Sequence, residues 1–190
     1  MIATALLACA ANVAPATLEA VIAIESRGDP LAIYVNGLAT QPRRPMNAAE
    51  AAQLAEAYIA EGHAVDLGLM QVDSRNLAAL GYTVVQVLDP CTNIRAGAVI
   101  LTADYAAATR ALGRGQRALR AALSAYNTGN FVRGFANGYV ARYYGPGRMV
   151  ITTSATPATA DVISGTAAMS NPYTADTVVY VRDAVDISIR

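Results

Sequence analysis

Helix start and stop signals recur along the first three quarters of this chain, and they restrict its fold more than any other feature. The residues that suit a helix start are Pro15, Asn47 with Glu50, Thr83 with Gln86, and Asp89-Pro90. The glycines that can end a helix are Gly28, Gly62, Gly81, Gly113 and Gly129. These signals predict helices over 14–27, 47–61, 74–80, 84–88, 91–112, 116–126 and 131–144. The predicted fold is therefore mainly α.

The composition suits one globular domain with additional chain beyond it. With 190 residues, 54% of them apolar, the chain can fill a sizeable hydrophobic core. A helix needs roughly 20 consecutive apolar residues to cross a bilayer. Asn12, Glu19 and Glu25 interrupt the one apolar region that approaches this length. We therefore expect no transmembrane segment.

The basic residues exclude several classes of enzyme. All 14 are arginines, so the chain has no lysine for Schiff-base chemistry or for a phosphate-binding P-loop. His63 is the single histidine, and it cannot by itself build a histidine metal site or a Ser/His/Asp triad. We predict that the chain holds no metal and needs no cofactor.

Half of the arginines lie in one stretch without an acid, between Asp104 and Asp161. They are Arg110, Arg114, Arg117, Arg120, Arg133, Arg142 and Arg148. This stretch predicts a positive surface. A solvated helix face is the favoured interpretation. Nucleic-acid binding is the alternative, but no dedicated motif supports it.

Two cysteines, Cys9 and Cys91, are too few for a metal cluster. A disulfide is the favoured interpretation, and two buried thiols are the alternative. A bridge would close a loop of about 80 residues, stabilise the fold by roughly 4 to 5 kcal/mol in the chain-entropy model, and indicate an oxidising compartment.

The N-terminus has no visible export signal. Residues 1–11 are apolar, but no positive residue precedes them and the run is short for such a signal. The run Leu6-Leu7-Ala8-Cys9 has a weak likeness to a lipoprotein cleavage site, which leaves lipidation as an alternative. We expect the segment to pack as part of the first helix.

Residues beyond 150 differ in composition from the rest of the chain. Residues 151–177 are rich in Thr, Ala, Ser and Pro, which predicts a flexible linker after a domain that covers 1–150. In residues 178–190, apolar and polar residues alternate with the period of two that is typical of a half-buried strand. This strand-like tail either folds back onto its own domain or adds to a sheet edge of another protein.

Glu25 is the acid that the helical pattern singles out. It follows Val21 by four residues and Ile22 by three, so it lies on the apolar stripe of its helix. Partial burial would raise the pKa of this carboxyl, as a general acid at neutral pH requires. Glu19, on another face, should be solvated. On this pattern alone, a hydrogen-bonded structural acid is the commoner interpretation.

Two further motifs follow Glu25-Ser26 along the chain. Gly68-Leu69-Met70-Gln71 is an apolar loop with one amide, and Ala125-Tyr126-Asn127 places a phenol and an amide at a helix end. In this order and at this spacing, the three motifs resemble the soluble lytic transglycosylase family, relatives of goose-type lysozyme. The resemblance covers residues 9–145.

A closer likeness is to the transglycosylases that accompany type IV secretion and conjugation systems. The segments that carry it are VAPATL at 13–18, DPLAI at 29–33, DPCTNIRAGA at 89–98 and GNFVRGFANGYV at 129–140. The resemblance implies a lysozyme-like helical domain with a substrate cleft, located in the periplasm or cell envelope. Glycan strands of peptidoglycan are the implied substrate, and secretion-system components are possible partners of residues 178–190.

The resemblance implies that Glu25 is the single catalytic acid and base. It would protonate the glycosidic oxygen between N-acetylmuramic acid and N-acetylglucosamine. The same residue would then act as a base, so that the muramyl C6 hydroxyl closes on C1 and gives a 1,6-anhydro product without water. A hydrolytic muramidase and a catalytically silent wall-binding module are the alternatives.

The resemblance also implies substrate-binding roles for the other motif residues. Met70 and Gln71 would contact the sugars and their acetamido groups. Tyr126 would hydrogen-bond near the Glu25 carboxyl, and Asn127 would steady the local backbone. Without the motifs, Met70 and Tyr126 are best interpreted as core residues.

The remaining candidates are less specific. Asp66 and Asp73 bracket the Gly-Leu-Met-Gln loop and are candidates for a second carboxylate, although helix capping is the favoured role of Asp73. One acid suffices if the substrate supplies the nucleophile. Ser26 either positions the site or ends its helix.

Overall fold

The computed structural model describes residues 4–144, in which helices dominate. The helices are α1 (Thr4–Leu7), α2 (Pro15–Glu25), α3 (Ala48–Ala60), α4 (Leu77–Leu80), α5 (Val84–Val87), α6 (Pro90–Leu112), α7 (Gln116–Thr128), α8 (Arg133–Ala136) and α9 (Ala141–Tyr144). Short 3-10 helices cover Ala8–Ala10 and Ser74–Asn76. The prediction of a mainly α fold is confirmed. The predicted domain end near residue 150, the linker 151–177 and the tail 178–190 lie outside the described residues.

The predicted helix starts are confirmed together with their caps. The Asn47 side chain accepts a hydrogen bond from the Glu50 amide at 2.9 Å. Thr83 begins α5 with a capping box, in which its side chain and that of the third helical residue exchange hydrogen bonds with the backbone. The Asp89 carboxylate accepts from the Thr92 amide at 2.8 Å at the start of α6. Local sequence therefore determines where these helices begin.

Two predictions about the ends of the domain are wrong. The helix predicted over 131–144 is two separate turns, α8 and α9. Gly138 lies between them with φ of +77°, a left-handed conformation that interrupts a right-handed helix. The N-terminal segment does not continue α2 either, because Thr4–Ala10 and Pro15–Glu25 are bent by 105° from each other. Within residues 4–144, only this bent pair taken together, and no single helix, has the length and hydropathy to cross a membrane.

A small antiparallel sheet was not predicted from the sequence. Its strands β1 (Ile33–Val35), β2 (Val65–Leu67) and β3 (Val72–Asp73) lie in that order. Tyr34 pairs with Asp66, and Asp66 pairs in turn with Asp73. Strands of two or three residues are too short to display an alternating pattern. The sheet matters because the turn between β2 and β3 is the Gly-Leu-Met-Gln loop.

One hydrophobic cluster joins the helices to this sheet. Fully buried members include Leu18 of α2, Val65 of β2, Ile94 of α6 and Leu123 of α7. The long helix α6 packs along α7 and also contacts β3. Replacing such a residue by alanine typically costs about 2 to 5 kcal/mol. The cluster therefore provides a rigid support for the ends of α2 and α7.

Cys9 and Cys91 form a disulfide that joins the N-terminal 3-10 helix to the first turn of α6. Their Cα atoms are 5.4 Å apart, although 82 positions separate them in the sequence. A closed loop of this length stabilises a fold by roughly 4 to 5 kcal/mol in the chain-entropy model. The bridge ties the segment before α2 to the central helix.

Candidate active site

Glu25 is the last residue of α2, and its side chain is half-buried. Val21 and Ile22, one turn earlier, are fully buried in the core. The next residue, Ser26, ends the helix: its hydroxyl donates to the Ile22 carbonyl at 3.2 Å and accepts from the Gly28 amide at 3.2 Å. Of the two roles left open for Ser26, the observed contacts are those of a helix end.

The Glu25 carboxylate is held by a tyrosine that the sequence analysis did not assign. The Tyr139 hydroxyl donates a hydrogen bond to Glu25 Oε1. The Tyr139 hydroxyl also lies 2.7 Å from that of Tyr143, and both residues are buried, with 3% and 2% of their surface exposed. Burial, followed by the nearby charge of Glu25, raises the pKa of each phenol well above its usual value. Both tyrosines are therefore protonated at any pH near neutrality.

The turn between α8 and α9 places Tyr139 next to the Glu25 carboxylate. The Asn137 side chain accepts from the Tyr139 amide at 3.0 Å, and the Val140 amide donates to the Gly134 carbonyl at 3.0 Å. Tyr143 then follows Tyr139 by four residues, the spacing that brings two side chains together on a helical surface. This i, i+4 pair is the signal by which the sequence could have revealed the arrangement.

The Gly-Leu-Met-Gln loop is a tight turn between β2 and β3. Gly68 and Gln71 both have positive φ, of 70° and 48°. The Gln71 side-chain amide donates to the Gly68 carbonyl at 2.9 Å and to the Ala32 carbonyl at 3.2 Å. Its donor group thus stabilises the turn, and the residue keeps a half-buried position at the surface of the loop.

A buried asparagine of α6 anchors the same loop. Asn93 Oδ1 accepts from the Met70 amide at 2.8 Å, while its Nδ2 donates to the carbonyls of Leu67 at 2.8 Å and Val87 at 2.9 Å. A Cβ added at Gly68 would lie 2.4 Å from Asn93 Nδ2, so glycine is required by this close approach. Asn93 was not predicted, although it lies within the segment 89–98 that carries the family resemblance.

Tyr126 connects this loop to the neighbourhood of Glu25. Its hydroxyl donates to the Met70 carbonyl at 2.7 Å. Burial raises the pKa of Tyr126 well above its usual value, and the charge of Glu25 is the next cause, so the two side chains are close. The hydrogen bond of Tyr126, expected near the Glu25 carboxyl, is made to the loop, and the phenol that donates to Glu25 is that of Tyr139.

Met70 and Asn127, two other predicted substrate-binding residues, both contact neighbouring groups of the protein. Met70 is 0% exposed, and its side chain packs so closely on Gly97 that a Cβ there would lie 2.6 Å away. The Met70 side chain thus packs in the core in this conformation, and its contact with a sugar stays a prediction. Asn127 is half-buried and accepts from Asn137 Nδ2 at 3.0 Å, which joins α7 to the turn before Tyr139.

The candidates for a second carboxylate are already engaged. Asp66 is 1% exposed and accepts from Asn36 Nδ2 at 3.2 Å. Asp73 is 5% exposed, pairs with the Arg75 guanidinium at 2.7 Å, and caps the 3-10 helix that follows it. The capping role favoured for Asp73 is confirmed, and neither carboxylate has the exposed surface that a sugar ring would contact.

Asp104 is a further acid near the site, and it was not predicted from the sequence. Asp104 lies on α6, and its Oδ2 is buried without a hydrogen-bond partner among residues 4–144. Burial raises its pKa to about 7. Its charge also contributes, after burial and the charges of Glu25 and Tyr143, to the raised pKa of Tyr126. Asp104 therefore lies behind the site, on the side of Tyr126.

A family model described as "Transglycosylase SLT domain" matches residues 4–143. This range includes Glu25, the 68–71 loop, Tyr126 and Tyr139. The chain belongs to the transglycosylase SLT domain family. Membership was predicted from three motifs, and it is confirmed over nearly the whole described part of the chain.

Curated proteins are similar to this SLT chain over about two thirds of its length. The protein named "Protein virB1" of Agrobacterium fabrum is 45% identical over 132 residues, which cover 70% of this chain and 53% of that protein. "Type IV secretion system protein virB1" of Brucella abortus biovar 1 is 41% identical over 128 residues, which cover 67% and 53%. The chain thus spans about half the length of the curated relatives it matches. No solved structure matches it.

Proposed function

We propose that this chain is a peptidoglycan lytic transglycosylase that cleaves the β-1,4 bond between N-acetylmuramic acid and N-acetylglucosamine. The observation that carries the proposal is the Glu25 carboxyl, which ends a helix with one buried face and accepts a hydrogen bond from the buried phenol of Tyr139. A general acid needs a defined orientation and a controlled proton. Membership in the SLT family supports the same reaction.

The proposed reaction uses Glu25 twice. The protonated carboxyl gives its proton to the glycosidic oxygen as the bond from this oxygen to the muramyl C1 breaks. The resulting carboxylate then takes the proton of the muramyl C6 hydroxyl, whose oxygen bonds to C1. The product is a 1,6-anhydromuramyl end, Glu25 regains its proton, and no water is consumed.

The two candidates for a second carboxylate, Asp66 and Asp73, already bind other side chains. This favours the proposed reaction over hydrolysis. Most hydrolytic glycosidases place two carboxyl groups about 5 to 9.5 Å apart across the scissile bond. Asp66 and Asp73 are buried, and each is bound to another side chain. A transglycosylase needs one acid, because the substrate supplies the nucleophile. A hydrolytic muramidase remains the alternative reaction.

The remaining motif residues support the substrate in two ways under this proposal. Gln71 and Asn127 are half-buried, and we assign them contacts with the sugars or their acetamido groups. Ser26, Met70 and Tyr126 act through the backbone by fixing the end of α2 and the shape of the loop.

A basic surface also fits this substrate. Within residues 105–144, where the sequence has no acid, six arginines are exposed: Arg110, Arg114, Arg117, Arg120, Arg133 and Arg142. We propose that they attract the carboxylates of peptidoglycan stem peptides. A salt-sensitive shift of DNA by this protein, without binding of wall fragments, would favour the nucleic-acid alternative instead.

We further propose that the enzyme opens the wall for a secretion or conjugation apparatus in the periplasm or cell envelope. The support is the identity of 41% to a relative whose name describes a type IV secretion system protein. Components of such an apparatus are then candidate partners, and residues 178–190 are the proposed contact. Pull-down of apparatus components by the full chain, but not by a chain ending at residue 177, tests this contact.

Product analysis tests the reaction itself. Purified peptidoglycan is digested with the protein or with Glu25→Gln, which keeps the shape of the side chain but cannot release a proton, and the soluble products are analysed by mass spectrometry. Anhydromuropeptides from the wild type alone are the expected result. Reducing muropeptides would establish a hydrolase, and products from both proteins would remove Glu25 from the mechanism. Binding without products would identify a wall-binding module.

A further inference from the structure

Tyr143 lies directly behind the tyrosine that binds Glu25. Its hydroxyl is 2.7 Å from the Tyr139 hydroxyl, and the two rings meet edge to face with centroids 5.4 Å apart. Among residues 4–144, the Tyr143 hydroxyl has no other hydrogen-bond partner. Tyr143 lies outside the three motifs that carry the family resemblance, and those motifs assign it no role.

The number of protons determines the direction of these hydrogen bonds. An ionised carboxylate only accepts hydrogen bonds, and a phenol has one proton to donate. The single proton of Tyr139 is directed to Glu25 Oε1, so the Tyr139 oxygen can only accept from Tyr143. The proton of Tyr143 therefore points to Tyr139, and that of Tyr139 points to Glu25.

The reverse direction is unfavourable because Tyr143 is buried. If Glu25 carried its own proton on Oε1, this proton would point at Tyr139, and Tyr139 would have to donate to Tyr143. The Tyr143 proton would then lose its partner in a site where 2% of the residue is exposed. A buried donor without a partner costs free energy. The pair thus disfavours protonation of Glu25 at Oε1.

We propose that Tyr143 is a positioning residue that, by donating to Tyr139, directs the Tyr139 proton to Glu25 Oε1 and so assigns the acid proton to Oε2. This inference rests on the proposed function of Glu25 as the catalytic acid. In the productive state, Oε2 gives its proton to the glycosidic oxygen and later receives the proton of the C6 hydroxyl. Oε1 keeps its hydrogen bond to Tyr139 throughout, so neither tyrosine gains or loses a proton.

Tyr143→Phe removes one hydroxyl and keeps the ring that packs on Tyr139. In this variant, Tyr139 loses the donor that polarises its hydroxyl, so its hydrogen bond to Glu25 Oε1 weakens and part of the enzyme carries its proton on the wrong oxygen. The expected result is a loss of kcat of about tenfold, or about 1.4 kcal/mol, with KM changed by less than about twofold because no sugar contact is lost. Circular dichroism verifies that the variant is folded.

The matched control is Tyr144→Phe on the same helix, because the Tyr144 hydroxyl donates to Gln116 Oε1 at 3.3 Å and not to the Glu25 site. Its kcat should equal that of the wild type. The double variant Tyr139→Phe/Tyr143→Phe should be no slower than Tyr139→Phe alone, because Tyr143 acts through Tyr139. Equal kcat values for Tyr143→Phe and Tyr144→Phe, or losses that multiply in the double variant, would overturn the proposal.

A second measurement does not depend on activity. Carbon-13 NMR of the glutamate side-chain carboxyls follows the titration of Glu25, identified by its absence in Glu25→Gln. The Glu25 carboxylate of Tyr143→Phe has weaker hydrogen-bond support, so its midpoint should move up by about half a pH unit. If the midpoint of Glu25 in Tyr143→Phe equals that in the wild type, Tyr143 does not act on Glu25 through Tyr139. If the midpoint moves as expected in Tyr143→Phe but the wild type yields no anhydromuropeptides, the proposed function is disproved while the positioning role of Tyr143 stands.

Discussion

The loop 68–71 and the segment 133–144 both reach the Glu25 site, but they are built in opposite ways. The loop is held by backbone hydrogen bonds to Asn93 and Tyr126, and Met70 inside it is fully buried. The segment consists of two four-residue helices around Gly138, and it contributes a side-chain hydroxyl to the carboxylate itself.

The difference indicates a division of roles around one acid. The loop gives the site its shape, because Asn93 and Tyr126 bind main-chain groups of the loop and so fix its path. Under the proposed mechanism, the segment 133–144 controls the chemistry, because its contact is to Glu25, the proposed acid. Substitutions that weaken the loop should therefore lower the free energy of unfolding, and substitutions in the segment should lower the rate while the fold remains intact.

The largest expected effect is on stability and comes from Asn93→Ala. The change leaves the Met70 amide and the carbonyls of Leu67 and Val87 without their buried partner. We expect the free energy of unfolding to fall by about 4 kcal/mol, from costs of about 1 to 3 kcal/mol for each buried unsatisfied group. Urea denaturation measures this change. In the control Asn12→Ala, which loses an exposed hydrogen bond to Thr102, a similar loss would contradict the special role of the loop.

The next effect is on rate and comes from Tyr139→Phe. Without the phenol, the Glu25 carboxyl loses its bound orientation, and kcat/KM for anhydromuropeptide release should fall by about 100-fold, within the range of general acid catalysis. The ring remains in place but the buried Tyr143 hydroxyl loses its partner, so the free energy of unfolding should fall by about 1 to 3 kcal/mol, less than for Asn93→Ala. A loss of stability as large as that of Asn93→Ala would assign Tyr139 to the framework and remove the contrast with the loop.

The next prediction is that the free energy of unfolding depends on pH because of Asp104, which lies on the side of Tyr126 and the loop. The pKa of Asp104 is raised by burial from 3.8 to about 7, so the folded state keeps a proton that the unfolded state releases. Stability is then highest at low pH and falls as pH rises toward the folded pKa, by about 3 kcal/mol between pH 5 and pH 8. Urea denaturation at both pH values measures the slope, and Asp104→Asn should remove it.

The control for this slope is Asp89→Asn. A hydrogen bond from the Thr92 backbone amide lowers the pKa of Asp89, so the stability that its charge provides is present above the unfolded pKa and is lost below it. Its replacement should leave the slope between pH 5 and pH 8 unchanged. A wild-type protein whose stability is constant over this range would show that Asp104 is solvated.

The smallest effect is expected for Tyr126→Phe, which forms a matched pair with Tyr139→Phe. Tyr126 loses a hydrogen bond to the Met70 carbonyl, so the free energy of unfolding should fall by about 1 kcal/mol. Because Tyr126 does not donate to Glu25, kcat/KM should change by less than about threefold. A rate loss equal to that of Tyr139→Phe would mean that both tyrosines control the acid and that the two regions do not differ.

The sequence by itself determined the features that depend on neighbouring residues. Capping side chains at Asn47, Thr83 and Asp89 act on amides three residues away, so the helix starts were predictable. The position of Glu25 on the apolar side of α2 followed from the helical period. The order of the three motifs was sufficient to predict the family.

The tertiary structure alone decided which side chains meet. Glu25 and Tyr139 are separated by 114 positions, and Tyr126 and Met70 by 56. No local period relates residues so far apart. The local pattern would therefore be the same if Tyr126 contacted Glu25 and Tyr139 contacted the loop. The burial of Met70 against Gly97 was decided in the same way, because a close approach between a loop and a helix depends on packing and not on the propensity of either segment.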